Sequence, residues 1–303
     1  MELIADLFAP FTKSDMDMFE RFRYSNSFGD TSFSLLYAWS ERFDYRFRLY
    51  DDIFAVTGKG RTGETGFSLV RSSSQAPIDT AFSDLCRYCF ELGIPPTFEY
   101  IREDELTDYI SAARRLGRKA QYFYQEEYSD YIYDTGDFIS MSGSKNKTKR
   151  GGYNYFQRNY PDIRYVHYSP ELYSDCIDIF KKWCSSYECE NCFYGCERKA
   201  FERFMEIYNS GYHKIAMAYD GDKPLSFAVC EQINENTVSY YFQKNAKRIR
   251  GLTYWLNRHM ALEHDDNTKY INLGEDMGLE GLAADKRQLH PCAVLKKYNV
   301  IVI

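Results

Sequence analysis

Asn272 lies within the strand-like run 270–273, and Glu275, Asp276 and Glu280 follow it. Oxygen-bearing side chains at the carboxyl end of a strand and the start of a helix can cap that helix and favour its dipole. They can also take a proton from an attacking amine or hold an ammonium group, because both tasks need a charged or proton-accepting oxygen. Glu275 and Asp276 are therefore the candidate catalytic residues, with Asn272 and Glu280 as candidate substrate ligands. Lys286 lies beyond them, placed to pair with Asp276 or to bind phosphate. A second feature is the turn Arg248-Ile-Arg-Gly251-Leu-Thr253, with Lys244 and Lys247 before it. Free N–H groups at a helix start bind phosphate oxygens, glycine permits close approach and cations add charge, although plain turn chemistry produces the same pattern. Lys247, Arg248, Arg250, Gly251 and Thr253 are the candidate anion ligands.

A third feature is the run Lys145, Lys147, Lys149 and Arg150, followed by Tyr153, Tyr155 and Phe156. Cations interleaved with rings can hold a phosphate backbone and stack a base; a solvated linker is the plainer reading of a short charge run. Cys184, Cys189, Cys192 and Cys196 form a compact cluster that could chelate zinc or an iron–sulfur cluster, or remain a loop of reduced thiols, which the tight spacing favours. The five His show no metal-ligand spacing, and no GxSxG, Walker or GxGxxG pattern occurs, so hydrolase, NTPase and nicotinamide-enzyme classes recede.

The elements that must position these groups belong to an ordinary globular chain. Hydrophobic residues make up 44% and charged residues 27% of 303 positions, which argues against disorder. The formal charge of −6 argues against a surface coated in positive charge for nucleic acid, while leaving room for a local basic patch. The 28 Tyr and 22 Phe suit strand faces or a wet cleft lined by rings. Residues 1–10 have no basic leader and no apolar run reaches a membrane span of roughly 18 residues, so no integral membrane segment and a cytoplasmic location are expected, with the nine Cys reduced.

Periodicity predicts helices over 14–24 and 31–43, a three-strand meander over 45–70, a helix from Pro77 to about Gly93, a strand at 97–101, a helix at 103–116 and an extended segment at 119–133. The order then recurs: a strand at 163–168, helices at 171–183 and 198–208, a meander over 213–243, a helix at 251–263, a strand at 270–273, a short helix at 279–288 and a terminal strand at 294–303. The reading is an α+β chain with an N-terminal domain over 1–141, a basic linker and helix over 142–161, and a C-terminal domain over 162–303. Gly151 and Gly152 weaken a continuous helix in the linker, at roughly 1 kcal/mol each.

This order resembles the GNAT acyltransferase fold written twice, as in Fem-type aminoacyltransferases. Two segments are similar to the family sharing the C-terminal domain of phosphatidylglycerol lysyltransferase: Tyr131-Ile-Tyr-Asp134 through Lys149-Arg150, Asn154, Phe156 and Tyr160-Pro161-Asp162, and Ile271-Asn272, Asp276, Gly278, Glu280-Gly281-Leu282, Lys286 and Pro291. The chain departs from the family where Gly151 and Gly152 follow Lys-Arg, where Gly274 precedes Glu275, and at Ala283. The resemblance implies two tandem GNAT-like lobes and an aminoacyl group moved from aminoacyl-tRNA to an amine or hydroxyl of a lipid, peptide or small molecule. Lys149, Arg150, Asn154, Asn272, Glu280 and Lys286 would then hold substrate. An acyl-CoA-dependent N-acetyltransferase, with coenzyme A on the Arg248–Gly251 turn, and a degenerate scaffold with a binding role only are the alternatives. No resident cofactor or metal is expected.

Overall fold

The computed structural model describes residues 7–23, 28–59, 65–186 and 195–303. In its first half, β1 (Ala9–Pro10), α1 (Met16–Arg23) and α2 (Phe33–Phe43) precede the meander β2 (Arg46–Leu49), β3 (Ile53–Lys59) and β4 (Thr65–Arg71). Ser32 starts α2 by accepting the Leu35 N–H at 3.2 Å, satisfying an amide that the first turn would otherwise leave open. The phenylalanines on these helices pack inward as rings on rings, with Phe19 4.0 Å from Phe54 and 5.0 Å from Phe33 between centroids. Much of the aromatic excess is therefore core. Next come α3 (Asp79–Glu91), β5 (Thr97–Arg102), α4 (Leu106–Arg115), β6 (Ala120–Tyr124) and β7 (Asp130–Asp134). Helix α3 buries Phe82 and Leu85 completely, each contributing roughly 1.5–3 kcal/mol of apolar transfer.

The second half runs through α5 (Thr135–Ser140), α6 (Lys147–Asn159), β8 (Ile163–His167), α7 (Tyr173–Ser186) and α8 (Glu197–Met205) to the meander β9 (His213–Asp220), β10 (Lys223–Asn234) and β11 (Thr237–Asn245). It ends with α9 (Leu252–Ala261), β12 (Tyr270–Asn272), α10 (Glu280–Gln288), β13 (Ala293–Leu295) and β14 (Lys297–Val302). Helix α6 is continuous through Gly151 and Gly152.

Among the described residues two seven-stranded sheets result, ordered β1-β2-β3-β4-β5-β14-β6 and β13-β7-β12-β11-β10-β9-β8. In each, the meander is antiparallel and its last strand runs parallel to the next one, β4 to β5 and β11 to β12, across a crossover helix. The extended segment 119–133 divides, β6 joining the first sheet and β7 the second. The C-terminal segment divides likewise, and β14 inserts between β5 and β6. The compact units are accordingly Met1–Asp130 with Glu275–Gly278 and Leu295–Ile303, and Tyr131–Gly274 with Leu279–Val294. A division at residues 141 and 162 differs from this one, because the last strands trade sheets and the basic segment 142–161 lies within the second unit. Among the described residues, no helix is long and apolar enough to cross a membrane.

Candidate functional site

In the first unit, β4 and β5 share one registered pair, Phe67 opposite Phe98, and their later residues line open space. One recess is bordered by Phe28, Thr31, Arg71, Tyr100 and Glu105, and another by Asp30, Tyr45, Thr57, Gly66, Glu99 and Tyr100. A bulge explains why neighbouring side chains line the same space. On β14, Tyr298 pairs with Ile101 and Val300 with Phe98, so Glu99 and Tyr100 together oppose Asn299. Tyr100 takes the left-handed conformation, φ 57°, and the alternation of faces is lost there. Gly66 leaves room for the Glu99 carboxylate, since a Cβ at 66 would lie 2.6 Å from its Oε1.

Lys297 lies beside this recess, 1% exposed. Its ammonium donates to Asp130 Oδ1 at 2.6 Å and to Asp30, lies 3.8 Å from Glu275 Oε2, and stands over the Phe28 and Tyr100 rings at 5.0 and 5.3 Å. Burial alone pulls the lysine pKa down; Asp130, Asp30 and Glu275 more than reverse that, so the group stays charged. Three carboxylates against one ammonium leave an ionised cluster negative. Burial, then Tyr45, Glu275, Asp30 and Glu99, raises the Tyr100 phenol well above its ordinary value, keeping it a neutral hydrogen-bond donor. Arg71, 7% exposed, donates to Asp108 at 2.7 Å and lies 3.5 Å from Glu105, whose carboxyl burial raises against the pull of Arg71.

The sequence candidates separate on this framework. Glu275 joins the Lys297 cluster. Asp276 is buried, and its Oδ1 accepts the Gly278 N–H at 2.9 Å, closing a turn in which Met277 has φ 58°. In the second unit, buried Asn272 likewise accepts the Gly274 N–H at 2.7 Å. Lys286 donates to the Leu273 carbonyl at 2.6 Å over the Tyr131 ring, and Lys149 to the Leu289 carbonyl at 2.9 Å over Phe138. Burial lowers the Lys149 ammonium. Arg150 holds the carbonyls of Met141 and Gly143 at 2.5 and 3.1 Å, whereas Asn154 and Glu280 are exposed.

At the Arg248–Gly251 turn, Lys247, Arg248 and Arg250 are exposed, with Arg250 4.8 Å from the Tyr155 ring. Gly251, φ 87°, caps α9 where α6 crosses it, and a Cβ there would lie 2.6 Å from the Gly152 carbonyl carbon and 2.9 Å from Phe156 Cβ. A Cβ at Gly152 would lie 2.8 Å from the Tyr254 ring. Helix packing alone therefore demands both glycines. Thr253 accepts the Asn245 amide at 3.1 Å, and Asn245 in turn accepts the Ser226 hydroxyl at 2.6 Å.

Cys189 and Cys192 lie outside the described residues, and among those described no group of His, Cys, Asp or Glu could hold a metal ion. Sequence reasoning missed Asp30, Glu99, Tyr100, Asp130 and Lys297. The strand pattern offered no signal for Lys297, because in the run Lys297-Tyr-Asn-Val-Ile-Val302 the buried Tyr298, Val300 and Val302 lie on the opposite face by alternation.

A conserved protein of unknown function from Bacteroides thetaiotaomicron superimposes with a TM-score of 0.85 at 23% identity, over 98% of this chain and 99% of that one. L-PGS from Bacillus licheniformis gives 0.67 at 14%, over 97% and 92%, and FemX gives 0.60 at 10%, over 95% and 96%. No curated protein matches the chain significantly. The fold is mixed α/β, two GNAT-like halves in tandem, and family and fold together support a general acyltransferase kind. Residues 22–301 match the family described as phosphatidylglycerol lysyltransferase, C-terminal, and the chain belongs to that family.

Proposed function

We propose that this protein transfers an aminoacyl group from aminoacyl-tRNA to an amine or hydroxyl acceptor carried by a lipid, a peptide or a small molecule. The observation that carries the reading is the first-unit recess, where Asp30, Glu99, Tyr45 and Tyr100 converge beside Glu275 and Lys297. An aminoacyl ester carries an ammonium next to the carbonyl under attack, and carboxylates with ring faces suit that cation. An acetyl thioester offers them nothing to hold. In the transfer, the acceptor nitrogen or oxygen bonds to the ester carbonyl carbon and the bond from that carbon to the ribose oxygen breaks. The acceptor proton passes through a carboxylate, assigned to Glu275, to the departing ribose hydroxyl. Tyr100, held protonated, donates to the carbonyl oxygen as negative charge builds there. Asp276 holds the loop that presents Glu275. Exposed Lys247, Arg248 and Arg250 meet tRNA phosphates in this reading.

The acyl-CoA alternative draws less support, because Gly251 is required by Gly152 whether or not a pyrophosphate binds. A thermal-shift comparison of charged tRNA, uncharged tRNA, coenzyme A and acetyl-CoA tests the choice. A ligand at 100 times its Kd stabilises the fold by roughly 2.7 kcal/mol. Charged tRNA is expected to stabilise more than uncharged, and Asp30→Asn or Glu99→Gln to erase that difference. Stabilisation by coenzyme A alone overturns the reading in favour of acetyl transfer, and silence from every ligand favours a scaffold.

A further inference from the structure

Three chain segments meet at one end of the first sheet. Val302 donates its N–H to the Pro96 carbonyl at 2.9 Å, and Lys119 and Ile303 exchange both backbone bonds at 3.0 and 2.9 Å. The turns before β5 and β6 therefore lie side by side with the end of β14. Ile94, Leu116 and Ile303 project there, 40%, 40% and 49% exposed. Exposed cations surround them: Arg114, Arg115, Arg118 and Lys119 are four of six consecutive residues in a chain of net charge −6. Arg115 pairs with Asp79 at 2.7 Å, whereas Arg114, Arg118 and Lys119 make no ion pair among the described residues. The dipole of α4 accounts for Arg114 and Arg115 in its last turn, but not for Arg118 and Lys119 beyond it. Arg118 lies over the Phe90 ring at 4.4 Å, which holds its guanidinium beside the turn that carries Ile94.

We infer that this end of the first unit docks on an anionic lipid bilayer, with Ile94, Leu116 and Ile303 reaching below the headgroups and Arg114, Arg118 and Lys119 on the phosphates. Charge complementarity calls for an acidic partner, and it disfavours a second copy of this face, whose cations would meet like charges. The aliphatic tips then separate the acidic partners from one another. A nucleic acid would take the cations and leave Ile94, Leu116 and Ile303 in water, whereas a bilayer offers negative charge directly above hydrocarbon. Arginine and lysine suit that boundary, because their stems lie along apolar surface while their heads stay wet. Tyr122, 54% exposed, follows about 10 Å back from Lys119 along β6, which sets its ring at headgroup level, where tyrosine is enriched. The surface shares no residue with the recesses of this unit, so the inference is independent of the transfer reading.

Co-sedimentation of the full chain with extruded vesicles, in the absence of tRNA, tests it. Vesicles of phosphatidylcholine with about one third phosphatidylserine should bind about tenfold more tightly than phosphatidylcholine alone, and added salt should weaken the binding. Arg118→Glu with Lys119→Glu should lower the partition about tenfold or more. Ile94→Ser with Leu116→Ser should lower it about tenfold and leave the salt dependence in place. All four positions are exposed, and Tm checks that the variants fold. Equal binding to both vesicle types, or none, overturns the proposal. So does binding that survives Ile94→Ser with Leu116→Ser, because charge alone then accounts for it. A tRNA gel shift abolished by Arg118→Glu with Lys119→Glu, while vesicles stay unbound, overturns it in favour of nucleic acid.

Discussion

Replacing Lys297 with Met removes the cation from the buried cluster while retaining most of the side-chain volume. Asp130 is 0% exposed at its side chain and Asp30 25%, and both lose an ammonium held within hydrogen-bond distance. Breaking a buried ion pair by deleting one partner costs about 3–5 kcal/mol, because the remaining charge keeps its desolvation penalty. For a folding unit of this size that is a fall in Tm of roughly 8–16 °C. Differential scanning calorimetry at pH 7 measures it, with Lys297→Met/Asp130→Asn alongside. The double variant should recover a large part of the loss, since an amide needs no counter-charge. The folded lysine sits above its ordinary value of 10.5, so its contribution is complete below pH 10.5 and is lost as pH rises through the higher folded value. Wild type and the single variant should therefore converge in strong alkali. A single variant as stable as wild type, or a double variant no better than the single, would refute the electrostatic argument and leave the lysine as packing.

Other outcomes follow from the same structure. Gly151→Ala should stabilise by about 0.5–1 kcal/mol, because a Cβ there meets nothing within 4 Å on a helical backbone, whereas Gly152→Ala should destabilise against the Tyr254 ring; urea melts of the pair read the contrast. Gly251→Ala combines positive φ with a backbone clash and should cost about 3 kcal/mol or more, read as a lower urea midpoint. Burial, then Lys214, lowers His264 from 6.5 to about 4. The unfolded chain therefore takes the proton first as pH falls, and stability should drop by up to about 3 kcal/mol between pH 6.5 and 4 and then level off. His264→Gln should flatten that part of the pH profile.

The element order could be read from the sequence because helical and strand periodicities are local. Strand partners could not: β6 and β7, and likewise β13 and β14, are adjacent in the chain yet join different sheets, and alternation of apolar residues does not say which. Glu275 and Asp276 looked equivalent on chemistry alone. Backbone geometry divides them, one carboxylate facing Lys297 and the other closing a turn on Gly278. Gly151 and Gly152 read as weak points in a helix. Gly152 is instead where α6 meets Tyr254 and Gly251, contacts that lie about a hundred residues away in sequence and leave no local signature. Glu99 and Tyr100 escaped notice because only the bulge opposite Asn299 turns adjacent strand residues into the same recess.

The most direct test is single-turnover transfer from tRNA charged with labelled amino acids to phosphatidylglycerol vesicles, peptide amines and small amines. The account predicts enzyme-dependent movement of label to at least one acceptor class, slowed by about 10²–10⁴-fold in a folded Glu275→Gln variant. Retention of all label on tRNA while acetyl-CoA is consumed, or transfer unchanged by Glu275→Gln, would contradict it.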